Sequence, residues 1–426
     1  MTLSSHAPVR SAMMAALEYR PGQAVTNEDL VFLVGAHTPY GMLEHLSAEW
    51  VLAFRALGRS SYILQTGGPT GLGALQSLLA AGRPQAFVSF SGVNFDLLAN
   101  DRLLYEIIDV PFVGLMFDDP AYYPQRHQVP SRHLALLFTD DDHLAASLRL
   151  SPAMSPRGRF RFGVRPPTEA PTPHSARDIA LLFVKSPGDP ELARREWHAL
   201  PPALRTILND VADATVWRSD QSLWSVVHAR LADDGLVAGI EHGVGMATLV
   251  ARVDHYVRLA RAQRVVRALA PFPALIVGSG WRAHLPRDAR ATVLDTCPMH
   301  DTLALMSSAR VVVNVQPNNR YAPHERALFG MQRGCCVLTD AATPLRDALG
   351  EEHIRAFDWS DDLEDVIASL VQKPDEGEAI GLRAAPFACA QWDAVSGART
   401  VLRAVDSLAG LLSTRSPITL PAALSA

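Results

Sequence analysis

The chain has 426 residues, 48% of them hydrophobic and 19% charged, with a net charge of −5. Its length suits two domains of ordinary size and its composition a globular fold. The acidic balance argues against a nucleic-acid binder, which carries a basic stripe. No apolar run reaches the ~20 residues of a membrane span. Met1 to Arg20 lacks the apolar core of a signal peptide and reads as a flexible lead-in over 1–25. Cys297, Cys335, Cys336 and Cys389 form neither a paired framework nor a C-x-x-C spacing, so a reducing, cytoplasmic setting is expected.

The elements alternate along the chain. Leu30 to Gly35 is a short apolar strand ending at glycine, and Leu43 to Leu57 has helical spacing with Gly58 as its cap. Strands follow at 61–65, 86–90, 111–117 and 134–138, with helices predicted over 74–81 and 97–108. This alternation means a parallel sheet with helices on both faces, filling a first domain over 26–164. Residues 165–176 hold many prolines and no periodicity, and read as a linker.

The pattern restarts at Asp178 to Val184 and continues as a second domain over 177–393. A helix-rich stretch from Pro190 to about Ala268 precedes strands near 274–277, 291–294 and 310–315. A last helix covers 394–412, before a tail over 413–426. Two such halves leave a cleft between them, where small-molecule sites gather.

The densest polar segment follows the strand at 310–315. It carries Gln316, Asn318, Asn319, Arg320, His324, Glu325 and Arg326, then a short helix that Gly334 ends. Ligands in open α/β sheets sit beyond the carboxyl ends of strands, where this loop lies. His324 and Arg326 stand at the helix start, where backbone N–H groups and the dipole favour an anion. Lys185 directly follows the first strand of the second domain. It is one of only two lysines, the other being Lys373, and it suits a phosphate as a point charge. Gly278 and Gly280 permit close backbone approach at a neighbouring strand end. In the first domain, His37 follows the first strand, and an unperturbed imidazole titrates near neutrality as a general base requires. Asp118 and Asp119 compete for that role, although one of them is expected to cap the turn at Pro120. Pro120 also occupies the third position of an Asp-x-Asp pattern, so no metal site is expected.

The second half resembles the GT-B glycosyltransferases, in particular the CgeB-like branch of the group 1 family. The resemblance rests on Asp254-His-Tyr-Val-Arg258 with Arg261 and Arg264, Leu275-Ile-Val-Gly-Ser-Gly-Trp281, and Val311-Val-Val-Asn-Val-Gln-Pro317. His324-Glu-Arg326, Gly334 and Val337-Leu-Thr-Asp340 complete it. It implies a GT-B fold, two Rossmann-like domains facing each other across a cleft. It also implies transfer of a sugar, hexosyltransferase-like, from a nucleotide-activated donor to a glycan, protein or small-molecule acceptor. No cofactor is implied, because the nucleotide sugar is a substrate. Donor-binding residues are expected among Lys185, Gly278, Gly280, Gln316, Asn318, His324, Glu325 and Arg326, and catalytic ones among His37, Asp118 and Asp119. Many relatives carry a glutamate five residues before the glycine matching Gly334, and it holds the donor ribose. Here that residue is Phe329, and Glu325 lies one helical turn earlier on the same face. The departure leaves room for a non-catalytic binding module, and the fold also hosts nucleotide-sugar epimerases.

Overall fold

The computed structural model describes residues 12–413, except 36, 37, 39, 152–154, 238, 239 and 241–243. The first domain is built on six parallel strands: β1 (Leu30–Val34), β2 (Ser61–Gln65), β3 (Ala86–Phe90), β4 (Phe112–Met116), β5 (Leu134–Phe138) and β6 (Arg157–Arg159). Their order in the sheet is 2-1-3-4-5-6. β1, β3, β4 and β5 are buried along their whole length. That is why they read as unbroken apolar runs rather than alternating ones.

The second domain repeats the plan with β7 (Ile179–Val184), β8 (Ala274–Val277), β9 (Thr292–Leu294), β10 (Ala309–Asn314), β11 (Cys336–Asp340) and β12 (Arg355–Phe357). All pairings are parallel, in the order 9-8-7-10-11-12. Strand order reverses between β1 and β3 in one sheet and between β7 and β10 in the other. A crevice opens at the carboxyl ends of the strands at each reversal.

One expected helix is absent. Residues 97–108 instead form a two-residue hairpin, Leu98–Ala99 with Arg102–Leu103, followed by a single helical turn at Leu104–Ile107. The hairpin tip, Asn100 and Asp101, has φ of 51° and 58°. Short polar side chains tolerate this left-handed conformation, and it matches the twist of paired strands. The apolar spacing around the tip imitated a helix.

Nor does the linker hang free. Arg177 donates to the carbonyls of Thr172 and Ala309, at 2.8 and 2.6 Å, clamping the linker to the second sheet. The chain crosses between domains twice, side by side. Val164 N–H donates to Trp392 O at 3.0 Å, and a Cβ on Gly163 would lie 2.5 Å from the Asp393 carbonyl carbon. After the second crossing the helix Ala394–Ser413 returns to the first domain and packs on the helix Met42–Ala56. There Gly397 leaves room for the Trp50 ring, which a Cβ would meet at 2.7 Å. One hydrophobic core therefore runs through both domains, from Leu46 and Trp50 to Ala327, Phe329 and Val337. No described helix is long and apolar enough to cross a membrane.

Candidate active site

A cavity of about 190 Å³ lies between the domains. The first domain lines it with Met42, Ser91, Phe117 and Asp118, from the helix Met42–Ala56 and the ends of β3 and β4. The second supplies Arg258, Asn319, His324 and Glu325. The two crevices set by the strand order thus meet in one space.

The wall on the second-domain side starts at the helix Glu325–Gln332. His324 caps it: Nδ1 accepts from the Arg326 N–H at 3.3 Å and lies 2.9 Å from Glu325 Oε2. Burial and the charge of Arg326 push the His324 pKa down to about 4, so it is neutral at pH 7. Burial opposes ionisation of Glu325, but His324 and Arg326 outweigh it and bring its pKa down to about 2. Arg326, only 7% exposed, turns inward and donates to the carbonyl of Val184 at the end of β7. It ties helix to strand, a structural contact.

Next along β7 is Lys185. Burial drives its pKa down to about 7, with Arg326 and Arg258 adding to the effect. Among the described residues its ammonium has no hydrogen-bond partner. Its backbone is buttressed by Gly278, whose φ is +151°; a Cβ there would fall 2.2 Å from Lys185 O. Gly280, with φ +103°, starts the turn Trp281–His284 beneath. Gly278 thus holds Lys185 by close backbone approach, and a Cβ on Gly280 would lie 3.2 Å from the Pro187 ring.

Sequence reasoning passed over Arg258 as a site residue. It lies on the long helix Val244–Leu269, four residues after Asp254, with which it pairs at 2.8 Å. Asp254 also accepts from Tyr122 Oη at 2.6 Å. Burial disfavours the Arg258 charge, but Asp254 and the nearby Asp118 and Asp119 more than restore it, raising its pKa. Its guanidinium reaches the cavity from a helix far from the polar loop in sequence. The signal was the i, i+4 pair Asp254–Arg258, which alone does not distinguish a site from an ordinary helical ion pair.

The two expected carboxylates part company. Asp118 faces the cavity and accepts from Ser91 Oγ at 2.9 Å. Asp119 is 1% exposed and points away, which corrects its assignment as a catalytic group. It accepts from Ala121 N–H and Trp224 Nε1, both at 2.8 Å, and from Asn318 Nδ2 at 3.1 Å. His143 Nε2 lies 3.7 Å away and donates to Asn318 O at 3.0 Å. Asn318 is therefore engaged with the first domain. Nearby, Asp140 accepts from the N–H groups of Arg320 and Tyr321, each at 2.7 Å, so the whole loop docks on the first domain. Gln316 is buried too: its N–H donates to Asp340 at 2.7 Å and its Oε1 accepts from His324 N–H at 3.0 Å. It braces the loop from within. His37 lies outside the described residues.

Phe329 is fully buried against the His45 ring of the first domain, with centroids 5.9 Å apart. At the position where relatives present a glutamate, this chain seals the domain interface. Among the described residues, no group of three or more His, Cys, Asp or Glu is placed to hold a metal ion.

Two facing Rossmann-like domains, a cleft at their switch points and a last helix that returns to the first domain define the GT-B fold of glycosyltransferases. Solved structures agree in fold. A sucrose-phosphate synthase from Thermosynechococcus elongatus is 12% identical with a TM-score of 0.51, covering 90% of this chain and 100% of its own. Anabaena HepE, solved with UDP-glucose, is 11% identical with a TM-score of 0.50, covering 89% and 99%. An alpha-glucosyltransferase solved with UDP-glucose and DNA containing an abasic site is 10% identical, also at 0.50, covering 89% and 99%. Residues 258–403 match the family described as glycosyl transferase-like. No curated protein sequence matches the chain significantly.

Proposed function

We propose that the protein transfers a sugar from a UDP-, GDP- or dTDP-linked donor to a hydroxyl of a glycan, protein or small-molecule acceptor, without a metal ion or cofactor. One juxtaposition carries this reading. Arg258 and Glu325 line a cavity beside Lys185, and Asp118 faces them from the other domain. As the bond from the anomeric carbon to phosphate breaks, its electron pair stays on the nucleoside diphosphate. Charge then builds where Lys185 and Arg258 can meet it with N–H donors already in place. Glu325, anionic at neutral pH, accepts from sugar or ribose hydroxyls. Asp118 takes the proton of the acceptor hydroxyl as its oxygen bonds to the anomeric carbon. His37 is the other candidate for that proton.

The UDP-glucose named for two structures of the same fold makes UDP the first nucleotide to try. Buried Phe329 favours a second reading, a nucleotide-sugar-binding module without turnover; an epimerase would need further acid and base groups in the cleft. Isothermal titration with UDP, GDP and dTDP, with cleavage of each nucleotide sugar followed in parallel, separates them. The transferase reading expects binding, and cleavage that survives EDTA. Absence of binding at millimolar nucleotide overturns it, and binding without turnover across a panel of acceptors supports the module.

A further inference from the structure

A second cavity, of about 460 Å³, lies behind the cleft, between the first sheet and the returning C-terminal helices. Its lining includes Arg159, Phe160, Arg161 and Phe162, two cations and two aromatic rings that neighbour one another along the chain. Arg403 adds a third cation from the helix Ala394–Ser413. Among the described residues no acidic one lines the cavity, in a chain whose net charge is −5. Asp141 pairs with Arg159 at 2.5 Å, leaving Arg161 and Arg403 without an acidic partner among the described residues. Arg161 lies over the Trp392 ring, 5.2 Å from its centroid, and Arg403 donates to Thr400 Oγ1 at 3.1 Å. Tyr321 and Phe387 supply further ring faces.

Thr139 also borders the cavity; it is 4% exposed and its hydroxyl has no partner among the described residues. Thr139 and Phe162 line both cavities and form the wall between them.

We propose that the rear cavity binds an acidic saccharide. A carboxylate or phosphate sits against Arg161 and Arg403, and the sugar ring lies on Tyr321 and Phe387. This site stands behind the cleft and does not rest on the reading of the cleft as a transfer site.

Titration calorimetry on the full chain with glucuronate, glucose 6-phosphate, methyl glucoside and inorganic phosphate tests it. Glucuronate and glucose 6-phosphate are expected to bind at least about tenfold more tightly than methyl glucoside or inorganic phosphate. The double variant R161A/R403A should lose about tenfold or more of that affinity, as the loss of charge-assisted hydrogen bonds predicts. Its UDP affinity should be unchanged, which also reports that the fold is intact. Equal binding of methyl glucoside, equal binding of inorganic phosphate (an adventitious anion only), or undiminished binding to the double variant overturns the proposal. Failure of UDP to bind the wild type would sink the transferase reading while leaving the sugar-acid result to be judged by itself.

Discussion

The wall around Lys185 and the seam around Asp119 are made of similar side chains, both sheltered between the domains. Asp119 is engaged across the interface by Asn318 and Trp224, and His143 Nε2 donates to Asn318 O. Lys185 and the cavity-facing side of Arg258 keep donors with no partner among the described residues. A polar group whose bonds are complete holds the protein together, and one whose bonds are incomplete waits for a ligand. Asp118 and Asp119 bring the contrast down to neighbouring residues, one facing the cavity and one facing the seam.

The largest expected effect lies in the seam. Asp119→Ala leaves Trp224 and Asn318 without their acceptor, and should cost about 3–5 kcal/mol, the range for breaking a buried charged network. Asp118→Asn should change stability little and abolish sugar transfer. Urea denaturation of both, with turnover measured on the folded fraction, checks the pair; equal stability losses would erase the distinction between the two sites.

Lys185 sharpens the comparison from the other side. Lys185→Met should weaken UDP binding by about tenfold or more, the scale of one charge-assisted contact, with little change in melting temperature. Only the protonated ammonium attracts a diphosphate, and its pKa in the empty site is about 7. Wild-type UDP affinity should therefore be greatest below pH 7 and fall as pH rises through it, with proton uptake on binding. Lys185→Arg should flatten that profile. A wild-type affinity independent of pH between 6 and 9, the window around that pKa, would remove Lys185 from the site.

The smallest effect is at Glu325. Its folded pKa, about 2, lies below the ordinary 4.5. A carboxylate depressed in this way contributes stability that is fully present above 4.5 and is lost as pH falls toward 2. The stability gap between wild type and Glu325→Gln should close over that interval in acid denaturation. A constant gap would mean that the ionised carboxylate does not support the wall.

The sheets were legible in the sequence because buried parallel strands leave unbroken apolar runs; 30–34 and 134–138 fall where the runs do. The helix expected over 97–108 failed because nothing in apolar spacing reveals two consecutive left-handed residues at Asn100 and Asp101. For the site, the polar loop was visible but its allegiance was not. Asn318, Gln316 and Arg326 have the chemistry of ligand contacts, and only the folded chain shows which partners already engage them. Arg258 was hidden for the converse reason: a helix brings it to the cleft from some sixty residues upstream of the loop, and its local pattern is that of a surface ion pair.

The paired crossings at Gly163 and Asp393 bear on how the protein is made. Trp50 belongs to the first domain, yet the groove that covers it is completed by Gly397. At a synthesis rate of about 5–20 residues per second, the first domain waits roughly 12–50 s for that cover to leave the ribosome. During that interval an aromatic face is open to other chains. Chaperone dependence should therefore track the last helix of the protein rather than its first sheet.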